Sequence, residues 1–163
     1  GRNADLQPES STSVDLGNRR FTVTFAATNQ VQCTFEIVAR GITVVLDAAP
    51  ATAQAFAGVL PFSRLFFHAR ISGREIWIDD APLLDVAQEN ASVFAEPGEI
   101  VIAPVRPARN KITGCIGIFY GEGKLLDCGN IFGKVWDEDR PLLEALGDAI
   151  WRHGAQELTF EQC

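Results

Sequence analysis

The chain holds 163 residues with a net charge of −7, a length that suits one domain with a sizeable core. Hydrophobic residues make up 47% and charged residues 21%, an ordinary balance for a globular protein, and no apolar run approaches the roughly 20 residues of a membrane helix. The acidic balance argues against nucleic acid as a partner, because phosphate binding depends on clustered Lys and Arg.

Residues 1–18 are polar and without periodicity, so they read as a flexible tail, with one domain over residues 19–163. Arg20 to Ala26 alternates, placing Phe21, Val23 and Phe25 on one face of a strand, and Val31, Cys33, Phe35 and Ile37 do the same after a turn. A third apolar run, I-T-V-V-L from Ile42, precedes a helix start. There Pro50 suits a first helical turn, Asp47 stands where a carboxylate caps free N–H groups, and Ala53, Phe56, Ala57 and Leu60 recur at helical spacing. Pro61 ends the helix. F-F-H-A-R-I-S and R-E-I-W-I-D then flank Ser72-Gly73 and predict a hairpin.

Residues 80–97 read as loop or short helix, followed by the strand E-I-V-I-A-P-V. The stretch I-T-G-C-I-G-I-F-Y-G and, past Gly129-Asn130, I-F-G-K-V-W predict two further strands; glycines inside strands mark bulges or close approaches. Pro141 opens a second helix with Leu142, Leu143, Leu146 and Ile150 on one side, and Gly154 just past its end. E-L-T-F-E is a last strand. Short strands with turn signals and two helices predict a mainly β fold, a closed β-barrel with two capping helices.

Cys33, Cys115, Cys128 and Cys163 show no disulfide-scaffold spacing, which points to a reduced, cytoplasmic setting; pairing in an exported chain stays open. The chain starts with Gly and has no Met, so a processed end is expected, and whether a signal peptide was removed stays open. No metal motif and no cofactor motif is visible.

The segment D-A-A-P-A-T-A-Q-A-F followed by F-F-H-A-R resembles the helix and F-H-R strand of cyclophilins. Residues 89–104, G-I-F-Y-G, G-N-I-F-G-K-V, H-A-R-I-S-G-R-E-I-W and I-W-R-H-G-A-Q together resemble a bacterial cyclophilin-like family without a settled function, related to the N-terminal domain of cucumopine synthases. That likeness implies a cyclophilin-like barrel and, by analogy, a Pictet–Spengler condensation of an amine with a 2-oxo acid. It departs from true cyclophilins where their arginine falls on Ala69 and where their Q-G-G-D is missing, so peptidyl-prolyl isomerase activity is not expected.

Candidate chemistry gathers at His68 and Arg70, two apart on one strand and read as catalytic: an imidazole that titrates near neutrality beside a guanidinium suits general base work on an anionic ligand. The competing reading has His68 bonded to backbone inside the barrel and Arg70 paired with Glu75 or Glu89. Trp77, Glu89, Asn90, Tyr120, Asn130 and Phe132 are the candidate substrate-binding residues, with turn chemistry and barrel curvature as the plain alternatives for Asn90 and for the nearby glycines. The expected protein binds a small polar or anionic metabolite; whether it is catalytic, a non-catalytic protein-interaction module or a homo-oligomer stays open.

Overall fold

The computed structural model describes residues 20–26, 32–38, 49–107, 110–135 and 137–162. Its elements in chain order are β1 (Arg20–Ala26), β2 (Gln32–Val38), α1 (Pro50–Gly58), β3 (Phe62–His68), β4 (Gly73–Ile78), β5 (Ala91–Ala95), β6 (Glu99–Ile102), β7 (Ile116–Lys134), a 3₁₀ turn (Asp137–Asp139), α2 (Arg140–His153) and β8 (Gln156–Gln162). The strands form an antiparallel sheet in the order β2-β1-β8-β3-β4-β7-β5, with β6 paired to β7.

Period-2 alternation sorts the side chains of this sheet onto two faces. Phe62 and Phe66 of β3, Ile76 and Ile78 of β4, Ile116 and Ile118 of β7, and Leu158 and Phe160 of β8 meet Phe56 of α1 and Leu143, Leu146 and Ile150 of α2 in the larger core. Aromatic rings dominate it: Phe62 stacks on Phe160 at 5.0 Å, and Phe56 meets both edge-on at 5.9 Å, geometries that suit ring quadrupoles. The other face carries a smaller core of Ala95, Val101, Ala103, Ile112, Phe119, Leu125 and Ile131. β6 serves both, since Ile100 and Ile102 join the first core and Val101 the second.

Helix α1 begins at Pro50 as expected, and its buried Ala53 and Phe56 hold it to the sheet. Its expected cap, Asp47, lies outside the described residues, as do the run from Ile42 and the side chains of Phe21, Val23, Phe25, Val31, Cys33 and Phe35. The carboxylate that does meet its first turn is Glu89, whose Oε1 accepts from Thr52 N–H at 2.6 Å and from Thr52 Oγ1 at 2.7 Å. Gly154 follows α2 with φ +96, and its N–H bonds Ile150 O.

Three expectations need correction. The sheet does not close into a barrel: over the described residues its path runs from β2 to β5 without joining those ends. Curvature goes instead into β7, whose two ends flank β6, so that Ile100 stands opposite both Ile118 and Gly133. Both helices share the larger core with one sheet face rather than capping a barrel. Second, residues 91–95 are a strand, not loop; Ala91 pairs with Asn130 and Ala95 with Gly123. Third, the two glycine-rich strands expected on either side of residue 125 are one continuous strand, β7.

Candidate functional site

β3 leaves the ladder after His68. Ala69 N–H still donates to Glu75 O at 2.9 Å, and the chain then turns through residues 70–72 into Gly73. Glycine is required there: φ is +103, and a Cβ would lie 2.7 Å from Glu122 O. The turn stands at a cleft of about 760 Å³, lined by the sheet face that carries Glu75 and Trp77 and, from α2 and the residues after it, by Ile150, Gly154 and Ala155. Phe67, Ile71, Trp77, Val101, Ile112 and Leu125 give it a mainly apolar lining, with His68, Arg70, Glu75, Asp79, Lys111 and Cys115 as its titratable groups.

Glu75 is the unusual one. It is 6% exposed, and its side-chain partner is the Ser72 hydroxyl, which donates to Oε1 at 2.5 Å. Gly117 makes room for the carboxyl, since a Cβ there would fall 1.9 Å from Glu75 Oε2. Burial pushes the Glu75 pKa up to about 7, against a smaller lowering by Ser72. No cation pairs with it among the described residues. Burial first, then the charges of Asp79 and Glu75, push the Cys115 thiol up to about 11, so Cys115 stays protonated at neutral pH and is no nucleophile.

His68 is half-buried between two partners. Its Nδ1 lies 2.7 Å from Ala69 O; a carbonyl only accepts, so Nδ1 carries the proton and donates. Its Nε2 lies 2.6 Å from the Tyr120 hydroxyl, and the Trp151 ring meets the imidazole edge-on at 4.6 Å. Burial raises the Tyr120 pKa, more than Arg74 lowers it.

Of the residues expected at the site, His68, Arg70 and Trp77 come together on this cleft. Arg70 lies beyond the end of β3, so the same-face argument for His68 and Arg70 does not apply; the turn, not the strand, brings Arg70 there. Tyr120 reaches His68 from the helix face. Glu89, Asn90, Asn130 and Phe132 sit elsewhere, and each has structural work. Glu89 caps α1, and its N–H donates to Asn130 Oδ1 at 3.1 Å. Asn130 is 0% exposed, and its Nδ2 donates to Thr52 Oγ1 at 3.0 Å and Ala87 O at 2.9 Å. Asn90 Nδ2 donates to Ile131 O at 2.8 Å, and Phe132 is in the larger core, its ring 4.9 Å from that of Phe56.

Ser72 and Trp151 were not among the site residues expected from sequence, and Glu75 entered only as an ion-pair partner for Arg70. A signal for Glu75 did exist: strand alternation puts it on the face of Trp77, not with Arg74 and Ile76.

Fold and cleft together define a mainly β antiparallel protein whose apolar cleft carries one buried carboxyl. The chain belongs to the family described as "Protein of unknown function (DUF3830)", whose model matches residues 31–162. Its fold is similar to that of McbB, solved "in complex with tryptophan", with a TM-score of 0.60 and 16% sequence identity over 86% of this chain. The match covers 44% of that chain, so this one spans less than half its length. No curated protein sequence matches. No described helix is long and apolar enough to cross a membrane.

Proposed function

We propose that this protein binds a small carboxylate- or amide-bearing metabolite in the cleft and moves a proton on it with Glu75. The observation that carries this is the buried Glu75 carboxyl, with a pKa of about 7 and no ion-pair partner among the described residues, on the same cleft as Arg70, His68 and Trp77. Near neutral pH such a group is shared between acid and carboxylate forms. It can take a proton and return it with little cost in either direction. Arg70 receives the ligand's carboxylate through its planar fork, and Trp77 supplies a flat wall. The apolar lining keeps water away from the proton in transit. His68 is the second proton carrier in this reading, its ring held by Ala69 and Tyr120. The reading calls for no metal and no cofactor.

One reaction class draws support from the comparison with McbB, whose structure holds an amino acid. In a condensation of the cucumopine-synthase type, an amine nitrogen attacks the carbonyl carbon of a 2-oxo acid and water leaves as the iminium forms. A ring carbon of the amine then closes on the iminium, and the proton it sheds passes to Glu75. A non-catalytic role in protein contacts is favoured by a different observation: Phe67, Ile71 and Leu126, all on the cleft, are 47%, 74% and 58% exposed.

Thermal unfolding in the presence of amino acids, 2-oxo acids and heterocyclic amides separates these readings, because a ligand of the native state raises its apparent stability. At least one small ligand should raise the unfolding temperature, and Arg70→Ala should abolish that rise while leaving the unliganded midpoint unchanged. If no compound stabilises the protein, or Arg70→Ala responds as the parent does, the cleft reading fails and protein contact takes its place.

A further inference from the structure

A second hollow, of about 500 Å³, lies between the sheet and α2 on the helix face, where side chains of β3, β4, β7 and α2 line it. Alternation turns the β4 side chains of the two apart: Arg74 shares a strand face with Ile76, whereas Glu75 and Trp77 point the other way, and His68 borders both. Two glycines shape it. A Cβ on Gly121 would lie 2.4 Å from Arg74 Cδ, and one on Gly147 of α2 would lie 2.3 Å from Tyr120 Cδ1. Their absence lets the Arg74 stem lie across β7 and the Tyr120 ring lie against the helix. The Arg74 guanidinium consequently stands 6.0 Å from the centre of the Tyr120 ring.

The charges of the hollow are unequally used. Arg152 Nε donates to both Asp148 oxygens at 3.1 Å, so these two neutralise each other. Arg74 and Glu144 also line the hollow and have no ion-pair partner among the described residues. Beside them Trp151 is 64% exposed, with one edge fixed against His68. A large flat side chain left open next to one free cation and one free anion is an arrangement with a complementary ligand.

We propose that this hollow is a second binding site, adjoining the cleft and sharing only His68 with it, for a small zwitterion with a flat apolar group: an aromatic α-amino acid. The carboxylate meets Arg74, the ammonium meets Glu144 and the ring lies on Trp151. A plain anion leaves Glu144 facing the added negative charge, and a plain cation meets Arg74 in the same way, so the zwitterion is preferred over both.

The two sites carry separate reporters, because Trp77 lines the cleft and Trp151 the hollow. With ¹⁵N-labelled protein, the indole N–H resonances are assigned through Trp77→Phe and Trp151→Phe, and L-phenylalanine is titrated to about 10 mM, a range that reads millimolar dissociation constants. The Trp151 resonance should move and saturate. Arg74→Ala and Glu144→Gln, both exposed changes, should each weaken that response about tenfold or more, as should replacing the probe with 3-phenylpropionate. A Trp151 resonance that stays still, movement of Trp77 alone, or a Trp151 response equal in both variants overturns the proposal. Failure here leaves the cleft to be judged by Arg70→Ala, and failure there leaves this site to be judged by Trp151.

Discussion

Glu75 shows how one side chain can be misjudged from its type. In R-E-I-W-I a glutamate between an arginine and an isoleucine suggests a solvated position, yet this one is buried on a cleft, its carboxyl held by the Ser72 hydroxyl. The cost falls on the charged form. Below the unfolded-state value near 4.5 the group is protonated folded or unfolded, and it costs nothing extra. As pH rises from there through about 7, the folded state holds its proton longer than the unfolded chain, so stability falls with pH across that window. The expected loss is roughly 3 kcal/mol when the window is complete. Glu75→Gln keeps the shape and the Ser72 contact but cannot ionise. Urea unfolding between pH 4.5 and 8 should show the variant gaining on the parent as pH rises, and a pH-independent difference would contradict the buried-carboxyl account. Any turnover assigned to the cleft should be lost in the same variant at all pH values. The sequence did not place this residue at the site, because its burial depends on Gly117 of β7 lying opposite Trp77, a pairing between segments some forty positions apart.

At the level of elements, legibility tracked the strength of the local pattern. β1, β2, β4, β8 and both helices were readable, since alternation and helical spacing are properties of contiguous residues. β5 was not: A-S-V-F-A has little contrast between its faces, and Val93 and Phe94 are not both turned inward. The middle of β7, G-E-G-K-L-L-D-C-G, reads as a turn because of its glycines, but pairing to β5 keeps it extended. The substrate-binding role expected of Glu89 and Asn130 failed to gather at the cleft for a related reason. Polar residues before a strand do often hold ligands, but here they hold α1, whose first-turn N–H groups need acceptors and whose own N-cap residue, Ala49, offers no side chain for the purpose. Glu89→Ala removes the acceptor of two bonds from the fully buried Thr52. Such a loss should destabilise the protein by about 1–3 kcal/mol in chemical unfolding while leaving ligand binding at the cleft unchanged. A binding defect without a stability defect would return Glu89 to the site.

On the scale of the whole molecule, the expected barrel and the observed sheet differ in where curvature is stored. Alternation dictates which face of each strand is buried but says nothing about whether the first and last strands meet; that depends on twist and register accumulated over the entire sheet. Here a single long strand bends around β6, and the outer strands β2 and β5 do not join. The result is two cores on two faces, with the helices on one and the Glu75 and Trp77 side of the cleft on the other, and this division bears on proline isomerisation. That reaction needs a guanidinium fixed beside an apolar proline pocket, so that the twisting amide meets a positioned donor. By the sequence resemblance Ala69 falls where cyclophilins have their arginine; it is buried just past the end of β3, its N–H bonded to Glu75 O. Arg70 follows in an exposed turn, outside the strand, where its side chain can meet a carboxylate from solvent but is not part of a ladder that would fix it against an amide. A proline-containing test peptide should therefore isomerise at its uncatalysed rate in the presence of the protein. Acceleration of several orders of magnitude that disappears in Arg70→Ala would mean that the turn at residues 69–72 presents Arg70 as cyclophilins present their arginine, and the cleft would then have to be reassigned to peptide substrates.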